Sequence, residues 1–227
     1  MSDSGQQSNR NRILAQDSLQ KLARNKLAHL DTELLNRKLI VTDRTAAGIV
    51  QRGAIDLISF ACNDYLGLSQ HPDVIKAAED ATRLLGVGAG ASRHITGNHS
   101  LYQRLESQLA SLKGTEDAVV FGSGYLANIG TIPALIGVPD LIVMDEACHA
   151  SLHTGARLAR SRTVSFAHND VNDAAALLKK HRSEHRHCLL LTEGVFSMDG
   201  DRAPVAALLR LATVYDAWLM TDDAHGL

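Results

Sequence analysis

The sequence has few cysteines, few aromatic residues and no long apolar run. Its three cysteines, Cys62, Cys148 and Cys188, are far apart and form no CxxC pair. This pattern argues against a disulfide framework or a zinc site and favours reduced thiols in the cytoplasm. Residues 1–12 are polar, and no apolar run approaches the roughly 18 residues that span a membrane. Secretion and membrane insertion are therefore not expected.

An excess of charge of one sign is also lacking. The 23 Lys and Arg residues nearly balance the 25 Asp and Glu residues, which gives a net charge of −2 and a pI near 6.6. There is no electrostatic reason to expect nucleic acid or an anionic membrane as a partner. The composition, 45% hydrophobic and 21% charged, is that of a soluble globular protein. A chain of 227 residues can form one large domain, or a domain with an arm.

The first sixty residues indicate an arm without a core of its own. Residues 1–12 are rich in Ser, Gln, Asn and Arg, which predicts disorder. Apolar residues recur at helical spacing over residues 13–35 and predict a helix. Residues 49–50 and 55–60, separated by Arg52 and Gly53, predict a small hairpin. The predicted division is an N-terminal arm over residues 1–60 and a major domain over residues 61–227.

The major domain alternates apolar runs with helical patterns. Strands are predicted at residues 118–121, 141–144, 163–166, 188–192 and 218–222. Helices are predicted at residues 71–85, 101–112, 151–159, 171–181 and 204–215. Repeated β-α-β units with apolar strands predict an α/β fold, with a mainly parallel sheet and helices on both faces.

A glycine-rich segment over residues 86–97 lies between two predicted helices. Its glycines do not follow the GxGxxG pattern, and the segment follows a helix, whereas that fingerprint must follow a strand. No dinucleotide site is therefore predicted. Two interpretations stay open: a mobile segment that contacts a substrate or a partner subunit, and a plain connector.

Four strand–helix junctions place polar groups at the carboxyl edge of the predicted sheet, where ligands bind in open α/β folds. Residues 122–125, Gly-Ser-Gly-Tyr, can offer backbone N–H groups and a positive helix end to a phosphate. An ordinary βα turn is the alternative. His149 and Ser197 follow later strands, and Asp222 with His225 follows the last one. Asp222 can pair with a protonated ring nitrogen, or simply cap a helix.

Pyridoxal phosphate (PLP) needs this combination of groups. Its phosphate requires N–H donors, its ring a stacking partner, and its pyridine nitrogen an anion that keeps it protonated. PLP is therefore the predicted cofactor. No metal is predicted, because His185 and His187 flank Arg186 in a basic loop that is more simply solvated.

The same motifs resemble a known family. The segments around Asn63, Tyr125, His149, Ser197 and Asp222 look like those of the α-oxoamine synthases, fold-type I PLP enzymes that condense an amino acid with an acyl thioester. The resemblance implies a three-layer, aspartate aminotransferase-like PLP-dependent transferase fold for the major domain. Residues 88–99 and 166–170 resemble most the biotin-pathway member of the family. That member joins L-alanine to a pimeloyl thioester, of CoA or acyl-carrier protein, to give 8-amino-7-oxononanoate, and it implies a homodimer.

The resemblance assigns roles to individual residues. Six would bind the cofactor: Gly124, Tyr125, His149, Ser197, Asp222 and His225. Gly124 and Tyr125 would hold the phosphate, and Ser197 and His225 would hydrogen-bond the phenolic oxygen. The resemblance also implies three catalytic residues: His149, which would stack on the ring, Asp222, which would pair with its nitrogen, and His225.

Two residues of the first third of the chain would contact the substrate. The resemblance places Asn63 at the substrate carboxylate and Arg37, in the arm, also at the substrate. A solvated arginine at a helix end is the alternative for Arg37.

The sequence departs from the family at its end. The family's Schiff-base lysine lies in a Thr-x-x-Lys segment beyond the Asp-x-Ala-His motif, and this chain stops at Leu227. We therefore expect an N-terminal part of a synthase, without the last strands or the small C-terminal domain, and inactive alone. Two alternatives stay open. One is a sister activity such as 2-amino-3-oxobutyrate CoA ligase, 5-aminolaevulinate synthase or serine palmitoyltransferase. The other is a non-catalytic partner subunit.

Overall fold

The computed structural model describes the backbone of residues 3–46 and 48–226, with side chains from residue 18 onward. It contains two compact units, Met1–Arg83 and Leu84–Leu227. The predicted boundary between arm and major domain, after residue 60, stays a prediction.

The first unit contains a long helix and a small antiparallel sheet. Helix α1 spans Asp3–Thr32. Strands β1 (Asp43–Ala46), β2 (Ile49–Arg52) and β3 (Ile55–Ile58) pair in the order β1-β2-β3. The predicted hairpin is confirmed as β2–β3, with Gly53 at a left-handed φ of 61° in its turn. Strand β1 was not predicted.

Helix α1 begins earlier than its apolar pattern. It is helical from Asp3, where the sequence predicted disorder over residues 1–12; residues 1 and 2 lie outside the described part. Once a nucleus exists, each added helical residue gains a hydrogen bond at little cost, so a polar segment can extend a helix. Within the described residues, no helix is long and apolar enough to cross a membrane.

Three further helices precede the main sheet. They are α2 (Pro72–Leu85), α3 (Ser100–Lys113) and α4 (Gly124–Leu135). The helices predicted at residues 71–85 and 101–112 are confirmed as α2 and α3. Gly114 ends α3 in the left-handed conformation, with a φ of 67°. A single π-helical turn, Arg93–Gly97, lies in the glycine-rich segment.

The second unit is built on a parallel sheet. Its strands are β4 (Leu141–Asp145), β5 (Arg162–Phe166), β6 (Cys188–Glu193) and β7 (Trp218–Asp222), in the order β5-β4-β6-β7. All three pairings are parallel. Helices α5 (Ala150–Ala159), α6 (Val171–His181) and α7 (Val205–Val214) connect the strands. The predicted α/β alternation is confirmed from residue 141 onward.

Both faces of this sheet are covered. Successive side chains of a strand point to opposite faces, so Ile142 and Met144 pack with α4 and α5 while Leu141 and Val143 pack with α6 and α7. All four side chains are at most 1% exposed. Fully burying each of them contributes about 1.5–3 kcal/mol, which fixes the register of the central strand.

The strand predicted at residues 118–121 is wrong. Val119 and Phe121 are 68% and 41% exposed, and no described strand pairs with this segment. Its backbone is held by side chains instead: Val120 N donates to Glu106 Oε1 (2.8 Å), and Arg93 Nη1 donates to the Val120 carbonyl (3.2 Å). A short apolar run shows the propensity of a strand but does not supply the partner that a strand requires.

Candidate active site

A cleft opens at the carboxyl edge of the sheet in the second unit. Nine residues line it: Gly124, Tyr125, His149, Ser151, Glu193, Ser197, Asp222, Ala224 and His225. All six residues that the sequence analysis assigned to the cofactor are among them. The prediction that the motifs meet around one cleft is confirmed, while the individual roles stay predictions.

The sheet register brings the acids of this edge together. Glu193 and Asp222 are the last residues of β6 and β7 and lie opposite each other in the parallel pairing. Asp145 ends β4, the neighbour of β6 on its other side. In a parallel sheet all strands end at the same edge, so the alternation itself gathers these carboxylates.

The start of helix α4 lines the cleft. Ser123 caps the helix, with its Oγ accepting from Leu126 N at 3.1 Å. The N–H groups of Gly124 and Tyr125 lie in the first turn, where a helix provides no carbonyl partner. A Cβ on Gly124 would meet nothing within 4 Å, so the approach is open. This helix start can bind an anion such as a phosphate.

The Asp222 carboxylate also lines the cleft. Its Oδ2 accepts from Asn128 Nδ2 at 2.6 Å, and its Oδ1 accepts from Ala224 N at 3.1 Å. Asn128 is 5% exposed and also donates to Ser151 Oγ at 2.9 Å. The sequence analysis did not predict Asn128, although its position one turn after Gly124 places both on one helix face.

His149 lines the same cleft. Its ring Nδ1 is 2.7 Å from Ser151 Oγ and accepts from Ser151 N at 3.2 Å, which caps helix α5. Its backbone N donates to Glu193 Oε1. These contacts fix both the backbone and the ring of His149.

Glu193 is a buried acid that the sequence analysis missed. It is 3% exposed, and burial raises the pKa of its carboxyl, as does the nearby Asp222 charge. Backbone hydrogen bonds from His149 and Ser197 act in the opposite direction and lower that pKa. One side chain therefore holds the backbone of two predicted cofactor residues.

The loop that carries Ser197 is held from behind. Phe196 is 2% exposed, and its backbone N donates to the Asp201 carbonyl at 3.0 Å. His168 bridges two acids, with Nδ1 3.0 Å from Asp145 Oδ1 and Nε2 3.0 Å from Asp201 Oδ2. The hydrogen bond with Asp145, followed by that with Asp201, raises the pKa of His168.

Asp223, next to the cleft acid, is packed between two glycines. A Cβ at either Gly194 or Gly226 would lie 2.1 Å from its Oδ1. Lys113 Nζ is 3.3 Å from its Oδ2. Lys113 thus reaches this edge, which its spacing in the sequence did not suggest, but it is not among the residues that line the cleft.

The two predicted substrate residues lie in the first unit. Arg37 and Asn63 are both exposed there. The turn after Asn63 is fixed by Asp64, whose carboxylate accepts from Ser69 and pairs with Arg44 at 3.1 Å. These bonds, that of Ser69 first, lower the pKa of Asp64. The substrate roles of Arg37 and Asn63 stay predictions.

The cleft fits the predicted cofactor in chemistry. It offers N–H donors at a helix start, an imidazole and a pre-oriented carboxylate. These are the groups that a phosphate, a flat ring and a protonated ring nitrogen require.

The amino-acid sequence of the chain matches a known protein family and several curated proteins. Residues 55–227 match the family described as aminotransferase class I and II. The chain is 55% identical over 210 residues to 8-amino-7-oxononanoate synthase of Granulibacter bethesdensis, covering 92% of this chain and 55% of the relative. It is 52% identical over 210 residues, with the same coverage, to that of Methylobacterium nodulans. The chain therefore spans about half the length of the curated relatives it matches.

Solved structures show the same fold. Sphingomonas wittichii serine palmitoyltransferase has a TM-score of 0.83 at 33% identity, over 91% of this chain and 52% of that one. A variant of S. paucimobilis serine palmitoyltransferase, solved with a bound PLP–myriocin aldimine, has a TM-score of 0.82 at 29% identity, over 88% of this chain and 51% of that one. The predicted aminotransferase-like α/β fold is confirmed by these matches.

Proposed function

The chain belongs to the class I and II aminotransferase family, and from that membership we propose that it carries the cofactor site of an 8-amino-7-oxononanoate synthase. The reaction would condense L-alanine with a pimeloyl thioester, of CoA or acyl-carrier protein, in biotin biosynthesis. The single observation that carries the proposal is the convergence of six motif residues on one cleft. The 55% identity to synthases of this name supports the choice within the family.

The predicted cofactor is PLP, in agreement with the solved relatives. When bound, it supplies a ring that accepts electrons from the reacting amino acid. Gly124 and Tyr125 would bind its phosphate through backbone N–H groups. Ser197 and His225 would donate to its phenolic oxygen, and His149 would stack on the ring.

Asp222 would hold a proton on the ring nitrogen. Its carboxylate is already oriented by Asn128 and by Ala224 N, so no rearrangement is needed to present it. The two bonds leave accepting capacity on the carboxylate, because each carboxylate oxygen has two lone pairs. Arg37 and Asn63 would contact the substrate, and a homodimer is the proposed assembly.

Serine palmitoyltransferase is the second candidate, because solved enzymes of that name share the fold with TM-scores above 0.8. The identity to them is 29–33%, against 55% for the synthases. The larger identity favours L-alanine over L-serine as the amino acid.

The test uses the full-length protein that contains these residues. We expect saturable PLP binding in equilibrium dialysis, and product from L-alanine with pimeloyl-CoA at a higher kcat/KM than from L-serine with palmitoyl-CoA. Asp222→Asn should lower kcat by at least roughly a hundredfold, since the amide cannot hold the ring nitrogen protonated.

Asp223→Asn makes the same change one residue away and serves as the matched control. It should stay within about threefold of the wild type, because asparagine has the shape of aspartate and fits between Gly194 and Gly226, and the ion pair lost with Lys113 is exposed. Absence of PLP binding, or a preference for L-serine, would contradict the proposal.

A further inference from the structure

We propose that Asn128 and Ser151 are positioning residues that hold His149 as its Nε2–H tautomer and tie its ring to the Asp222 carboxylate. The functional meaning rests on the proposed PLP site, since His149 and Asp222 would face that cofactor. The tautomer itself follows from the hydrogen bonds alone. Both positioning residues are buried, at 5% and 1% exposure.

The donor and acceptor roles in this hydrogen-bond network follow first from the contact at His149. The backbone N–H of Ser151 lies 3.2 Å from Nδ1. A backbone N–H can only donate, so Nδ1 is an acceptor and carries no proton. The proton of the neutral ring is therefore on Nε2.

The Ser151 hydroxyl is oriented by the same constraint. Its Oγ is 2.7 Å from Nδ1 and 2.9 Å from Asn128 Nδ2. Because Nδ1 accepts, the hydroxyl hydrogen points to the ring, and the oxygen lone pairs accept from the amide. The hydroxyl therefore has a partner both as a donor and as an acceptor.

The orientation of the Asn128 amide is fixed at its other contact. An ionised Asp222 carboxylate only accepts, so the NH₂ group of Asn128, not its oxygen, faces Oδ2 at 2.6 Å. The two hydrogens of this NH₂ group then have two different partners, Asp222 and Ser151. One side chain thereby sets the position of the acid and, through Ser151, of the imidazole.

The packing of the two helices holds Asn128 in place. Gly155 of α5 faces α4, and a Cβ there would lie 2.9 Å from the Asn128 carbonyl oxygen and 2.7 Å from Ile132 Cδ1. The backbones therefore approach closely at the level of Asn128. Ser151 lies one turn before Gly155 on the same face, which brings its hydroxyl to the amide.

The tautomer is tested in the full-length protein without cofactor. Long-range ¹H–¹⁵N NMR of the His149 ring, assigned with His149→Gln, should show a proton on Nε2 and none on Nδ1. Ser151→Ala removes the hydroxyl but keeps the backbone N–H that donates to Nδ1, so the Nε2–H tautomer should persist. A proton on Nδ1, in the wild type or in Ser151→Ala, would overturn the assignment.

The coupling to Asp222 is tested by PLP affinity. Asn128→Ala should raise the Kd for PLP roughly tenfold, the size expected for a lost hydrogen bond to a charged group. Ser151→Ala should raise it less, and it keeps the test decisive if Asn128→Ala does not fold. Asn172→Ala, on the exposed start of α6, is the matched control and should leave Kd unchanged.

These experiments distinguish failure of the proposed function from failure of the positioning role. A wild-type protein that does not bind PLP would refute the proposed function and leave the NMR result intact. A wild-type protein that binds PLP as tightly as both variants do would refute the positioning role alone.

Discussion

Two hydrogen-bond networks meet at the carboxyl edge of the sheet, and they are held by different forces. The network in front, Asp222–Asn128–Ser151–His149, is linked through an amide and a hydroxyl that carry no charge and are buried. The network behind Ser197 joins the buried Asp145 to the half-exposed Asp201 through the imidazole of His168.

The difference indicates which perturbation each network resists. The front network depends on how closely α4 and α5 approach, so added volume should damage it. A change of pH should have little effect on its links, because an amide and a hydroxyl do not titrate. The network behind depends on the charge of His168, so pH should control it. Substitutions that change only volume or only charge can separate the two.

The larger effect is expected from added volume. Gly155→Ala should destabilise the full-length protein by about 1–3 kcal/mol, because the new methyl group would overlap Ile132 and the Asn128 carbonyl. This loss would occur although alanine favours a helix over glycine by about 1 kcal/mol. Urea unfolding measures the change, and the Kd for PLP should rise in parallel.

Gly130→Ala is the matched control on α4. The three atoms nearest to its new Cβ all belong to the Phe121 ring, with Cε1 at 3.0 Å, and this ring is partly exposed and can move. It should be as stable as the wild type or slightly more stable. Equal losses in both variants would show that the close approach at Gly155 is unimportant.

The smaller effect is expected from the charge of His168. The folded state raises its pKa, so its stabilising contribution is fully present below the unfolded pKa of about 6.5. That contribution is lost as pH rises through the folded pKa. The free-energy advantage of the wild type over His168→Gln should therefore be larger near pH 6 than near pH 9.

Asp201→Asn sharpens this prediction. It removes the partner whose hydrogen bond raises the pKa of His168 less. Asp145, whose hydrogen bond raises that pKa more, is kept. In urea unfolding, the free-energy advantage of the wild type over Asp201→Asn should also be larger near pH 6 than near pH 9. The change with pH should be smaller than for His168→Gln. An advantage over His168→Gln that grows with pH would contradict the assigned charge.

The sequence was informative where burial alone determines structure. The runs at β4 and β6 are apolar along their whole length because both faces of the sheet are covered, and their strands were predicted within a residue or two. The placement of His149, Ser197 and Asp222 followed, because residues after parallel strands collect at one edge.

The sequence was uninformative where a residue's role depends on a distant partner. Asn128 bonds to a residue 94 positions later, and Glu193 to one 44 positions earlier. No local pattern distinguishes such a residue from other polar side chains. The wrong strand at residues 118–121 has the same origin, since Val120 finds its partners on Glu106 and Arg93.

Asp222 is proposed to present its carboxylate to the ring nitrogen of a PLP held in this cleft. The most direct test is the ¹⁵N chemical shift of the ring nitrogen of ¹⁵N-labelled PLP bound to the full-length protein. We predict the shift of a protonated nitrogen in the wild type and in Asp223→Asn, and that of an unprotonated nitrogen in Asp222→Asn. The same shift in the wild type and in Asp222→Asn would contradict the claim.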